Sequence, residues 1–365
     1  VAPNHAKAIK TLPGAFQLSA LVDRTREAME ALNHDQSLGL GSDVFFSSVE
    51  ELYKWNATLG DGALDLVAIT TPSGSHYSLA KDALSHGLHV FLEKPMTLDL
   101  GQARELEALV REKELKIAMG HIYRFFPLVD LIQDDIARGL YGQVLSAEVK
   151  VHWGHDQAYY DLAAWRGTWK ADGGALMNQT IHALDLMVWL LSLDPIACQG
   201  AISKRLHQME AEDYGAALFT MENGAILSVE GTTVTPETDQ SASFRIVLEK
   251  ATVEAGLRRK KPYFNIKDRA GKSVGHYKSR LWKQMRQKGF AKSIRSFTNP
   301  HMGIYDDLAR SLDGGPAQEP LAGARSGVQA VENILAIYAS ALQGGKKIHL
   351  PLDDFSLEEM EGFFD

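Results

Sequence analysis

The chain has 365 residues, 45% of them hydrophobic and 23% charged, with a formal net charge of −8. Those values describe an ordinary globular protein of about two domains, and the net acidity argues against general nucleic-acid binding. No apolar run approaches the roughly 18 residues of a membrane helix. The single cysteine, Cys198, closes no internal disulfide and forms no zinc-binding cluster, so a reducing cytoplasm is the expected compartment.

In chain order, Pro3 to Leu12 has the spacing of a helix, and Phe16 to Val22 reads as a strand ending at Asp23. Arg24 to Leu32 is helical, Asp43 to Phe46 is short and β-prone, and Val49 to Leu59 is helical. Leu64 to Ile69 is an apolar strand running into T-T-P-S-G, followed by a helix over His76 to His86. His89 to Leu92 is a strand, Leu98 to Lys113 an amphipathic helix, and Lys116 to Met119 another strand. This β–α alternation with short turns predicts a Rossmann-type, doubly wound parallel sheet. Ligands of such sheets lie at the carboxyl ends of the strands. There the sequence places Asp23-Arg24, Thr70 to Gly74, Glu93 to Pro95 and Gly120-His121. Asp23 stands where an acid accepts hydrogen bonds from an adenosine ribose, and Arg24 is suited to a 2′-phosphate, so both NAD and NADP fit. The strand and glycine turn that open a dinucleotide fold are expected ahead of Val1.

L-H-V-F-L-E-K-P, Leu88 to Pro95, is the most informative stretch. A lysine leaving a buried strand of such a sheet is aimed at the ligand edge. Glu93 beside it is suited to holding the lysine charged or orienting it. Lys94 is expected to be exposed at the strand end.

From Gly142 onward the pattern changes. Val144 to Trp153, Tyr214 to Met221, Ala225 to Thr233 and Ser243 to Leu248 alternate in polarity. They predict an α+β C-terminal domain with a large, mainly antiparallel open sheet. The expected boundary divides residues 1–121 from 122–365, with the C-terminal helices packing back on the first domain. Apolar residues on both faces of those strands imply a second cover, hence a homodimer or homotetramer. After Gly173-Gly174, a helix over Ala175 to Leu191 carries Asn178 and His182 on one face, with Asp185 placed to orient or charge the His182 ring. Arg258 to Arg295 holds fourteen Lys or Arg and one acid. It reads as a solvated loop or helix pairing with an acidic neighbouring subunit, or as a patch for an anionic substrate such as a nucleotide sugar.

E-K-P after a strand, H-x-Y-R-F-x-P at His121 to Pro127, and W-R-G-T-W…D-G-G-A-L-M-N-Q-T-I-H-A-L-D-L together resemble the glucose-fructose oxidoreductase, inositol dehydrogenase and rhizopine catabolism family, Gfo/Idh/MocA. V-A-P-N-H-A-K-A-I resembles the segment after that family's glycine turn, and the resemblance spans nearly the whole chain. It implies an NAD(P)-dependent dehydrogenase of a small-molecule sugar, nucleotide sugar or cyclitol, acting on a CH–OH group. Lys94 matches the family's active-site lysine and His182 its acid/base histidine. Asn178 falls where many members carry aspartate; unable to titrate, it would position substrate, as would Tyr123 and Arg124. Thr70, Thr71, Pro72, His76, Glu93 and His121 match segments along the cofactor, and Trp165 and Arg166 one near the nicotinamide. The resemblance also admits an NAD-dependent glycoside hydrolase of the same fold, or a non-catalytic cofactor-binding sensor. Product analysis separates the first, and loss of Lys94 and His182 would have marked the second.

Overall fold

A computed structural model describes residues 1–365 other than 61–62, 260, 291–292, 295–297 and 316–317. Helices α1 (Ala2–Lys10), α2 (Arg26–Asp35), α3 (Val49–Asn56), α4 (His76–Ser85) and α5 (Leu100–Glu112) alternate with short parallel strands. Strands β1 (Leu21–Val22) and β2 (Phe45–Phe46) pair with each other, while β3 (Leu66–Ile69), β4 (His89–Leu92) and β5 (Ile117–Met119) form a second parallel sheet. Two of these helices start where a side chain satisfies a free amide: Ser48 accepts from Glu51 N at α3, and Asp99 from Gln102 N at α5. Val90, Phe91 and Leu92 are wholly buried, as expected of a strand covered on both faces.

The strand expected over Phe16 to Val22 is reduced to two residues. β1 has a partner on one side only, and Phe16 and Leu18 pack instead around Phe91 and Tyr305.

The second part is an eight-stranded sheet of β6 (Val144–His152), β7 (Pro195–Ser203), β8 (Tyr214–Met221), β9 (Ile226–Thr232), β10 (Ser241–Leu248), β11 (Ala251–Arg258), β12 (Lys261–Asp268) and β13 (Ile348–His349). The order is β12-β11-β10-β6-β9-β8-β7-β13. Every neighbouring pair is antiparallel except β6 and β9, which run parallel. Ala147, Val149, Leu227, Phe219, Ile246 and Val253 are buried on the inner face. Past the short α7 (Gln157–Asp161), the helix α8 (Ile181–Leu191) and the long Ala324–Leu342 helix cover that face. At Gly200 a β-carbon would stand 2.6 Å from Ile337 Cγ2, so the missing side chain is what lets the long helix lie on β7. The same helix packs against α5, and Met119 N donates to Ala322 O at 2.7 Å, so the C-terminal segment returns to the first domain.

The outer face carries Glu148, Lys150, Ser228 and Glu230 beside exposed Leu218. It is more polar than the alternation suggested. The basic segment, read as a loop or helix, is strand, turn and helix. Its described part forms the end of β11, β12 and helix α9 (Tyr277–Lys288); Lys260, Lys292 and Arg295 lie outside the described residues. Arg280 forks onto Asp135 of helix α6 (Val129–Ala137) at 2.5 and 2.9 Å, an acid of the same chain.

Candidate functional site

Ile69, Leu92 and Met119 end β3, β4 and β5 in register. The turns after them, Thr70 to Gly74, Glu93 to Pro95 and Gly120-His121, therefore lie side by side along one edge. Lys94 leaves this edge towards the second domain, and its ammonium donates to the backbone carbonyl of Asn178 at 2.6 Å. The Lys94–Pro95 peptide is cis. Lys94 is not exposed as the sequence suggested. It is largely buried, and burial lowers its pKa against the opposing pull of Glu93 and Asp172.

Asn178 sits in a π turn, Leu176–Thr180, that runs straight into α8. Widened turns of this kind recur at functional sites. Here the turn breaks the regular four-residue spacing expected between Asn178 and His182. The Asn178 amide donates to Asp172, whose other carboxylate oxygen accepts from Gly167 N at 3.0 Å. Burial pushes the Asp172 carboxyl up, and these hydrogen bonds and the Lys94 charge pull it back. His182 lies against the Tyr123 ring, centroids 5.2 Å apart, and its Nδ1 is buried without a hydrogen bond. Burial, then the charges of Lys94 and His121, hold its pKa well below the usual histidine range. The imidazole is neutral at pH 7.

The structure thus brings Lys94, Asn178, His182 and Tyr123 together and draws other candidates away. Asp185 does not reach His182. It is buried in a fork with Arg124, at 2.9 Å from Nε and 2.5 Å from a terminal nitrogen, and Arg124 also donates to Leu321 O. Arg124 is therefore committed to tying the loop after β5 to α8. His121 Nδ1 lies 3.5 Å from Asp185, yet neither ring nitrogen makes a hydrogen bond. His76 is buried, its ring nitrogens facing Pro95 O at 2.7 Å and Thr71 O at 2.9 Å. It staples two turns of the edge together. Glu93 turns beneath the strand end to His5 and His301. Thr71, Pro72, Asp23 and Arg24 are exposed and Thr70 is half-buried. Asp23 accepts from Thr25 N and Oγ1, both at 2.9 Å. Arg166 lies over the Tyr159 and Trp165 rings at 4.2 and 4.6 Å, its Nε buried and unpaired.

Sequence reasoning passed over Asp172, Gln179, His155 and Tyr159. Gln179 Nε2 bonds Asn178 Oδ1 at 3.1 Å and approaches His155 Nε2 at 3.3 Å, and His155 stacks on Tyr159 at 3.7 Å. Asp172 carried a signal: an acid directly before Gly173-Gly174 and six residues from Asn178. The three aligned strand ends with exposed Thr71-Pro72, and the unpaired ring nitrogens of His121 and His182 beside them, fit a nicotinamide cofactor laid along the edge.

Residues 1–121 match the model of the oxidoreductase family with an NAD-binding Rossmann fold, GFO/IDH/MocA, and residues 129–254 match the GFO/IDH/MocA C-terminal domain. The UDP-N-acetylglucosamine 3-dehydrogenase of Acidithiobacillus ferrooxidans is 26% identical over 174 residues, 48% of this chain and 50% of that protein. The rhizopine catabolism protein MocA of Rhizobium meliloti is 30% identical over 152 residues, 40% of this chain and 45% of that one. The chain spans about half the length of the curated relatives it matches. Among solved structures, the WlbA dehydrogenase of Bordetella pertussis in complex with NADH and UDP-GlcNAcA superposes with a TM-score of 0.77 at 28% identity, covering 96% of both chains. An inositol dehydrogenase homologue of Azotobacter vinelandii complexed with NAD+ has a TM-score of 0.73 at 18% identity, covering 94% of this chain and 92% of that one, a likeness of fold.

Proposed function

The chain belongs to the Gfo/Idh/MocA family of NAD-binding oxidoreductases, and on that premise we propose that it moves a hydride between NAD and a ring carbon of a nucleotide-linked sugar. The observation that carries this reading is the Lys94–Asn178 contact across the two domains, with neutral His182 on the adjoining helix. Bound nicotinamide supplies the hydride acceptor or donor. In the oxidative direction the neutral His182 imidazole takes the proton of the substrate hydroxyl. Lys94 Nζ donates a hydrogen bond to the same oxygen as it becomes an alkoxide and then a carbonyl. Asn178 holds the sugar and, through its main-chain carbonyl, the lysine. In this reading the Thr70–Pro72 turn and Asp23 serve the cofactor, and Tyr123 packs His182 in place.

The nucleotide-sugar assignment is supported by the ligand of the Bordetella WlbA dehydrogenase and by the name of the Acidithiobacillus relative. It is also supported by α9, which lies on α6, leaves Lys278, Lys283 and Arg286 exposed, and so offers cations to a pyrophosphate. The test is absorbance at 340 nm on mixing the protein with NAD or NADP and, in turn, UDP-GlcNAcA, UDP-N-acetylglucosamine, inositols and free sugars. NADH formation with a UDP-sugar is expected. Turnover confined to unmodified sugars or inositols would overturn the nucleotide-sugar assignment, and glycoside cleavage without net NADH would overturn the reaction.

A further inference from the structure

Beneath the Lys94 turn lies a buried set of ionisable groups from three distant parts of the chain. Glu93 Oε1 faces His5 Nε2 of α1 at 2.9 Å and His301 Nε2 of the His301–Asp313 helix at 3.0 Å. All three residues are buried, at 3, 8 and 6% exposure for His5, Glu93 and His301. The far nitrogen of each ring is engaged too. His5 Nδ1 lies 3.0 Å from the Tyr305 hydroxyl, which can give it a proton. His301 Nδ1 lies 3.1 Å from Asn299 Oδ1. That oxygen is identified by its neighbours: Asn299 Nδ2 donates to Asn4 O at 2.7 Å, and Oδ1 already accepts His301 N.

Hydrogen-bond accounting then sets the protons. A carboxamide oxygen only accepts, so His301 Nδ1 carries hydrogen. His301 Nε2 faces a Glu93 oxygen at 3.0 Å, and with that group as a carboxylate the nitrogen donates to it. His5 needs only one hydrogen, on Nε2, because Tyr305 donates to Nδ1. Burial, the largest influence on His5, also favours its neutral form. Burial opposes the charge on Glu93, yet the two histidine bonds hold its carboxyl well below the usual range.

We propose that Glu93 is the positioning residue of the Lys94 turn, held as a carboxylate by an imidazolium at His301 and a neutral imidazole at His5. This rests on the reading of Lys94 as the group that meets the reacting oxygen. Glu93 Oε2 lies 3.4 Å from the backbone N of Lys94. It also lies against Gly120, where a β-carbon would stand 2.6 Å away, so the absence of a side chain there is what admits the carboxylate. The ionisable groups around Glu93 are His5 from α1, His301 and Tyr305 from the His301–Asp313 helix, His76 at the start of α4, His121 after β5, His182 on α8, and Lys94. Those around Lys94 are Glu93, Asp172, His182, His121 and His76. The Glu93 charge therefore works against burial in favour of the protonated lysine, and the histidines fix where that charge sits.

Two measurements on the full chain test this. Labelling with ¹⁵N-histidine and counting ring N–H groups by NMR, with H301Q and H5Q as assignment controls, should find two on His301 and one on His5. One N–H on His301 overturns the proposal. The facing His5, Glu93 and His301 atoms lie within 4.8 Å of one another, so metal analysis is run beside it. One bound metal per chain that is lost in E93Q overturns it too. In pH profiles of kcat/KM, E93Q should move the Lys94 limb to lower pH by about one unit, with KM for the sugar little changed. A fall in kcat with the limb unmoved would make Glu93 merely structural. Full activity in K94A would sink the reading of Lys94 itself, while the ring N–H count still decides the state of His301.

Discussion

The ammonium of Lys94 is bonded to the main-chain carbonyl of Asn178 at 2.6 Å, 84 residues further along the chain. One domain supplies the charge and the other supplies its anchor. A backbone acceptor cannot be removed by changing a side chain, so the lysine keeps its aim whatever residue stands at 178. The proposed site therefore exists only while the two parts of the chain are packed together.

Lys94→Met should lower kcat by on the order of 100- to 10,000-fold. Lys94 is largely buried and burial already works against its charge, so the melting temperature should stay level or rise. Circular dichroism melts beside kcat measure both. A variant that unfolds early, or turns over near the wild-type rate, contradicts the assignment. His182→Ala should lose a similar factor, with partial recovery at high pH if the ring acts as base.

Asp172→Ala removes the carboxylate that holds the Asn178 amide and accepts Gly167 N. Misplacement of this wall should cost on the order of 100-fold in kcat, with little change in the affinity for NAD. Fluorescence titration with NADH separates the two effects. A weakened cofactor with unchanged kcat would move Asp172 out of the substrate wall.

Asp23→Ala should raise the dissociation constant for NAD about ten- to hundredfold, the cost of losing charged hydrogen bonds, and should affect NADP less. Equal effects on both cofactors would remove Asp23 from the ribose.

Glu212 gives a pH prediction independent of catalysis. It is fully buried under the π turn, bonded to Leu176 N at 2.8 Å and the Tyr338 hydroxyl at 2.9 Å, with Oε2 unpaired. Burial pushes its carboxyl up to about 8 from the ordinary 4.5. The folded chain then binds a proton that the unfolded chain has released, so stability present below 4.5 is lost as pH rises towards 8. Glu212→Gln should flatten that fall, its melting temperature gaining on wild type across the window. Parallel curves would mean that Glu212 is ionised in the fold.

The outer face of the sheet, with Leu218 52% exposed between strands of charged residues, is proposed as the contact between copies. Leu218→Glu should shift a dimer or tetramer towards monomer in light scattering; a monomeric wild type would count against it.

Much of this was legible. His89–Leu92 and Tyr214–Met221 were read residue for residue, because a buried run and a clean alternation are local signals. The β11–β12 hairpin was not read, because its charges masked the few inward residues such as Val253 and Ile266. Pairings between distant residues were beyond reach. Asp185 stands three residues from His182, the natural partner by spacing, yet Arg124, 61 residues away, takes it. Glu93 was read with its neighbour Lys94, while its hydrogen-bond partners lie 88 and 208 residues off. The π turn has no compositional mark, so a regular helix was the only available expectation.

That turn makes the site sensitive to residue count. Successive helix residues are about 100° apart around the axis. Removing Met177 or Gln179 from the Leu176–Thr180 turn would let the segment close into ordinary helix, with every other side chain kept but the first part swung by that angle against the second. The Asn178 carbonyl and the His182 ring could then no longer both face the cleft. Point substitutions here would be graded in effect, whereas a single-codon deletion would act as a frame error in three dimensions.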